Sequence, residues 1–135
     1  MVQEPWRQGP LELLNHGLEH LRAGSDFDYR IAMISIDNAI ELMIKTYLGL
    51  PPRITGIRLT RTKREESNVS FPALLDALTE VAPDKVTMTN LGIIEWFHQL
   101  RNQLYHQGNG ITVEKKHVES YAEIAKTLFE LLFPR

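Results

Sequence analysis

From Leu11 onward, apolar side chains at Leu11, Leu14, Leu18 and Leu21 recur at three- and four-residue steps, with Glu12, Asn15, Glu19 and Arg22 between them. That is the period of an amphipathic α-helix. Gly24 predicts a left-handed C-terminal residue, and Ser25 or Asp26 an acceptor for the first N–H groups of a second helix, so the two should close as a tight antiparallel hairpin. The second helix is expected from about Phe27 to Leu48, where Met33, Ile36, Ala39, Ile40, Met43, Ile44, Tyr47 and Leu48 cover a wide arc. Its polar remainder, Asp37, Asn38, Glu41 and Lys45, falls within roughly 100° at 3.6 residues per turn. One narrow polar stripe therefore runs along an apolar helix.

Gly49 to Ser70 breaks the pattern with Pro51 and Pro52 and presents Arg53, Arg58, Arg61, Lys63 and Arg64 before Glu65 and Glu66. It reads as a long basic loop, with a small hairpin open to the alternating segment Ile57 to Thr60. Ser70 should cap a short helix from Phe71 to Val81, and Pro83 should open a longer one reaching Tyr105. On that longer helix Ile93, Phe97, Leu100 and Leu104 form the expected core stripe, and Gly108-Asn109-Gly110 its end. Thr112 should begin a last helix carrying Val118, Tyr121, Ala125, Leu128 and Leu132. The expected fold is all-α, a single-domain antiparallel bundle of four long helices with one short extra helix.

The 135 residues suit one hydrophobic core, and 43% apolar content is ordinary for a globular chain. A formal net charge of -2 argues against a globally basic nucleic-acid binder, so any RNA contact must be local. The absence of cysteine excludes disulfides, thiol nucleophiles and thiolate metal sites. Met1 to Pro10 lacks the apolar run of a signal peptide, and no stretch is long and apolar enough to span a bilayer. A soluble cytoplasmic protein without a membrane role is the expectation.

At the end of the penultimate helix stand Arg101, Asn102, Gln103, Leu104, Tyr105 and His106. An arginine followed by a polar residue and, a few positions on, by a histidine resembles the signature of the HEPN superfamily. The segment Asp37-Asn38-Ala39-Ile40-Glu41-Leu42-Met43-Ile44-Lys45 also looks like that family, and as architecture the likeness covers roughly residues 10 to 132. The resemblance implies a HEPN-like bundle and a metal-independent endoribonuclease in which the 2′-hydroxyl attacks the adjacent phosphate, leaving a cyclic phosphate and a 5′-hydroxyl. It further implies a homodimer with two motifs meeting in one cleft, and a toxin or defence role with a neutralising antitoxin or a nucleotidyltransferase as partner. No cofactor is expected.

The residue chemistry supports that activity independently. An imidazole is the side chain suited to proton transfer near neutral pH, so His106 can move a proton, an effect worth ~10² to 10⁴ in rate. Arg101 offers a planar, permanently charged fork to the extra charge on a phosphorane. Asn102 can orient phosphate or histidine through its amide. Five residues apart on a regular helix, however, Arg101 and His106 project roughly 140° from each other, so the helix must end near Tyr105 for both to face one phosphate. Arg101 lies roughly 70° off the expected stripe, a boundary position beside Ile94, His98 and Tyr105 that suits a subunit interface.

Simpler readings exist for each group. Arg101 and His106 could be a surface ion pair and a histidine at a helix C-terminus. Asp37, Glu41 and Lys45 form a solvated i to i+4 ladder, or else Asp37 or Glu41, supported by Tyr105, faces the cleft and fixes Arg101 or His106. His16, His20, His98 and His117 show no metal-ligand spacing, and His98 reads as an interface histidine. Arg58, Arg61, Lys63 and Arg64 are the candidate RNA contacts of the basic loop, set against an ordinary solvated segment. The rivals to a nuclease are a catalytically silent module that binds RNA or a nucleotide, and a structural dimerisation bundle.

Overall fold

A computed structural model describes residues 4–87, 89–107 and 112–134, of which the side chains of Tyr105 and Gln107 are also outside the description. The described residues are helical with no strand, and their buried side chains form one continuous core. The helices are α1 (Pro5–Ala23), α2 (Asp26–Gly49), α3 (Pro52–Thr55), α4 (Arg61–Ser67), α5 (Phe71–Val81), α6 (Pro83–Val86), α7 (Leu91–Gln107) and α8 (Lys115–Leu132).

The α1–α2 hairpin closes as expected. Gly24 is left-handed, at φ 81°, and its N–H returns to the His20 carbonyl. Ser25 caps α2 by accepting from Asp28 N–H, while the Asp28 carboxylate accepts from the Ser25 backbone, a reciprocal capping box. Gly9 faces Leu42, Gly17 faces Ile36, and His20 bonds Asp28, so the helices run antiparallel. A Cβ at Gly17 would stand 2.9 Å from Ile36 Cγ1 and 3.3 Å from the Ala32 carbonyl oxygen, which is why the helices meet where a side chain is missing.

α2 is the hub. It packs against α1, α5, α7 and α8, and Met33, Ile36, Ala39, Ile40, Met43 and Ile44 are sealed from solvent. From α8, Val118, Tyr121, Ala125, Leu128 and Leu132 all enter the core as their spacing predicts.

Several boundaries differ from the sequence expectation. α1 starts at Pro5 rather than Leu11, with Pro10 inside it. Proline fits the first turn, and the Arg7 guanidinium lies 5.0 Å over the Phe129 ring, tying the added turn to α8. The basic segment is not all loop: it contains α3 and α4, the latter capped by Thr60 accepting from Lys63 N–H, and Ile57 to Thr60 forms no hairpin. The long helix expected from Pro83 is interrupted. Thr87 Oγ1 donates to the Asp84 carbonyl, and Asn90 Oδ1 accepts from Ile93 N–H, so these polar side chains end α6 and start α7 by competing for backbone partners. α8 begins at Lys115, not Thr112. The stop expected at Gly108-Asn109-Gly110 lies outside the described residues.

The most consequential difference is the rotation of α7. Ile93 is 42% exposed and Trp96 50%, whereas Ile94, Phe97 and Leu104 are buried. The buried positions therefore centre roughly 45° from the expected stripe, shifted toward Arg101, with Phe97, Leu104 and the partly buried Leu100 still facing the core. Polar demand explains the turn: α2 presents a buried carboxylate that must be met by donors, and on α7 His98 and Arg101 supply them.

Candidate functional site

Asp37 sits midway along α2 and is 1% exposed. Side chains from α7 and α8 converge on it. From α8 the Tyr121 hydroxyl donates to Oδ1 at 2.5 Å. From α7 His98 Nδ1 lies 2.9 Å from Oδ2, and since a carboxylate accepts, Nδ1 is the protonated ring nitrogen. The Arg101 guanidinium completes the group with Nε 3.4 Å from the same oxygen. Tyr121 also stacks on Phe97, and His98 lies flat on Phe71, ring centroids 3.9 Å apart and 8° from parallel.

Arg101 is held by more than charge. Its Nη2 donates to Asn38 Oδ1 at 2.9 Å and its Nη1 to Asn102 Oδ1 at 3.1 Å. A fifth of its side chain remains exposed. The polar stripe of α2 thus splits: Asp37 and Asn38 turn toward α7, while Glu41 pairs with Lys45 at 3.4 Å in the i to i+4 ladder. Burial, reinforced by the Asp37 carboxylate, pushes the Tyr121 phenol well above the ordinary tyrosine value.

His106 stands apart from this cluster. α7 continues as regular helix through Gln107, so the break near Tyr105 that would turn Arg101 and His106 to one side is not there. The two project roughly 140° from each other, with His106 exposed in the last turn. Asn102, by contrast, is one turn before His106 and shares its face. The structure gathers Asp37, Arg101 and Asn102, leaves Glu41 to Lys45, and keeps His106 in water; the Tyr105 side chain lies outside the described residues.

His98, Tyr121 and Asn38 belong to the cluster although sequence reasoning placed them elsewhere. His98, read from the sequence as an interface histidine, is a donor to Asp37 between α2, α5 and α7. The available signal was Asp37 itself: an acid on an otherwise apolar helix needs partners, and His98 and Arg101 are donors spaced to share one face of α7.

The candidate RNA contacts of the basic segment are all exposed, but two already have anionic partners. Arg61 pairs with Glu65 at 3.2 Å and Lys63 with Glu80 at 2.5 Å, and the bond to Glu80 raises the Lys63 ammonium above its usual value. Two cavities of about 150 Å³ each lie elsewhere, one walled by Trp6, Tyr47 and Phe133, the other by Thr89, Glu123 and Ile124. Among the described residues no cluster of three or more histidine, aspartate or glutamate side chains is placed to hold a metal, and no helix is long and apolar enough to cross a membrane. The chain matches no family model, and comparison with curated proteins and with solved structures returns no match.

Proposed function

We propose that this chain is a metal-independent endoribonuclease of HEPN type that acts as a homodimer. The observation that carries the reading is Arg101, oriented by Asp37, Asn38 and Asn102, with an exposed His106 one turn beyond Asn102 on the same helix. An arginine already held in place loses little further freedom on meeting a phosphate, and its fixed charge answers the charge that develops on the phosphorane. His106 moves the proton: the 2′-oxygen gives up its proton as it bonds to phosphorus, and the 5′-oxygen takes one as its bond to phosphorus breaks.

The divergence of Arg101 and His106 along an unbroken helix makes a second copy part of the proposal. A twofold axis beside α7 brings Arg101 of one copy and His106 of the other to one phosphate, and exposed Ile93 and Trp96 supply apolar surface on that helix for the contact. A toxin or defence role, and an antitoxin or nucleotidyltransferase as partner, follow from the HEPN resemblance alone, and a cytoplasmic location from the sequence composition.

A second reading has its own supporting observation. The Arg101 guanidinium is engaged by Asp37, Asn38 and Asn102 of its own fold and points away from His106, which suits a silent module that binds RNA or a nucleotide without cutting it. Purified protein and its His106→Ala variant, incubated with mixed RNA in excess chelator, separate the two. Cyclic-phosphate ends from the wild type alone support the nuclease; RNA bound but intact in both supports the binding module.

A further inference from the structure

The two oxygens of Asp37 are not used alike. Oδ1 belongs to Tyr121, whereas Oδ2 is approached by both His98 and Arg101. The imidazole holds it at 2.9 Å, a full hydrogen bond, while Arg101 Nε stands off at 3.4 Å, past the usual N–H···O range of about 2.7 to 3.2 Å. The imidazole is held in place from behind. Phe71 lies flat against it, and Phe71 is the first residue of α5, fixed by Ser70 accepting from Ala73 N–H at 3.2 Å. The Arg101 Nη groups meanwhile reach along the helix surface to Asn38 and Asn102.

We propose that His98 is a positioning residue for Arg101. By sharing Asp37 Oδ2 with Arg101 it sets how closely the guanidinium approaches the carboxylate, and so holds it extended along Asn38 and Asn102 at the partly exposed edge of α7, where a phosphodiester would meet it. A guanidinium drawn fully onto a buried carboxylate would have its charge answered inside the fold and would present less of it to a ligand. The control runs from the Ser70 cap through Phe71 to His98, then to Asp37 and Arg101. The inference rests on the reading of Arg101 as the phosphate-facing group.

Two substitutions separate this role from simple packing. His98→Leu keeps bulk against Phe71 but has no donor for Oδ2; His98→Asn places an amide N–H where Nδ1 now stands. The readouts are the Arg101 Nε–H resonance by NMR, assigned with Arg101→Lys, and the affinity for a 2′-O-methyl oligoribonucleotide, which carries the phosphates but cannot be cut. His98→Leu is expected to move the resonance and weaken binding about tenfold, the scale of one charged hydrogen bond, while His98→Asn restores both. A folded His98→Leu with wild-type resonance and affinity overturns the inference. Should His98→Leu not fold, His98→Gln, whose donor sits one bond further out, must move the resonance or the inference falls. If the resonance moves as stated but the wild type neither binds nor cleaves RNA, the positioning role stands and the ribonuclease reading falls.

Discussion

The Tyr121 hydroxyl meets Asp37 Oδ1 at 2.5 Å with both side chains withdrawn from solvent. Through that contact α8 fixes the carboxylate that His98 and Arg101 approach from α7, so one acid on α2 orients side chains on two other helices. Stability should report this arrangement directly. Tyr121→Phe leaves a buried carboxylate oxygen short of a donor and should cost about 1–3 kcal/mol. Asp37→Ala strands the donors around it and should cost about 3–5 kcal/mol. Urea unfolding measures both, and destabilisation under about 0.5 kcal/mol, the range of ordinary surface substitutions, would contradict the buried network.

The same contact governs the alkaline limb of stability. Burial, then the Asp37 charge, raises the Tyr121 phenol in the folded state above its unfolded value of about 10. Between those values the unfolded chain binds fewer protons, so the contribution is intact below about pH 10 and is lost as pH rises toward the folded value. Denaturant midpoints measured through that window should fall more steeply for wild type than for Tyr121→Phe. Parallel slopes would mean that Tyr121 ionises as freely folded as unfolded.

At the other end of the scale, Asp28 tests the hairpin. Hydrogen bonds from Ser25 and then from His20 hold its carboxyl below the ordinary aspartate range. Its contribution is therefore present above the unfolded value of about 4 and is lost as pH falls through the folded one. Asp28→Asn should be less acid-sensitive than wild type in circular dichroism, and Ser25→Ala should cost about 1 kcal/mol at neutral pH. Acid unfolding curves of the same shape for wild type and Asp28→Asn would remove the capping box from the account.

The hairpin, the buried faces of α2 and α8 and the span of α5 were legible because strong periodicity and local caps agree there. The rotation of α7 was not. Apolar spacing selected Ile93, which is exposed, whereas Ile94 is buried and His98 and Arg101 turn toward Asp37, with Leu100 still packed against the core. Tertiary pairing of one buried charge outweighed the hydrophobic stripe, and periodicity along one helix carries no information about such pairing. The break between α6 and α7 was missed for a local reason, since Thr87 and Asn90 act through backbone hydrogen bonds that a periodicity reading passes over. Asp37, Arg101 and Asn102 were identified by residue type and lie together; Glu41 was identified with them and belongs to the exposed ladder.

The basic segment should contribute to RNA affinity unevenly. Arg61 and Lys63 already face Glu65 and Glu80, whereas Arg58 and Arg64 are exposed. Replacing Arg58 and Arg64 with glutamine should therefore flatten the dependence of log affinity on log salt by about 0.7 for each phosphate no longer neutralised, and Arg61→Gln should flatten it less. Equal slopes for wild type and the double variant would exclude this segment from the RNA surface.

The central claim is that His106, with Arg101, cleaves RNA without a metal. Wild type, His106→Ala and Arg101→Lys should be incubated with mixed RNA in excess chelator and the product termini identified. The account predicts cyclic-phosphate and 5′-hydroxyl ends from wild type, and activity reduced at least ~10²-fold in His106→Ala with RNA affinity retained. Cleavage that survives in His106→Ala, that stops on adding chelator, or that never occurs across a broad RNA mixture would contradict it.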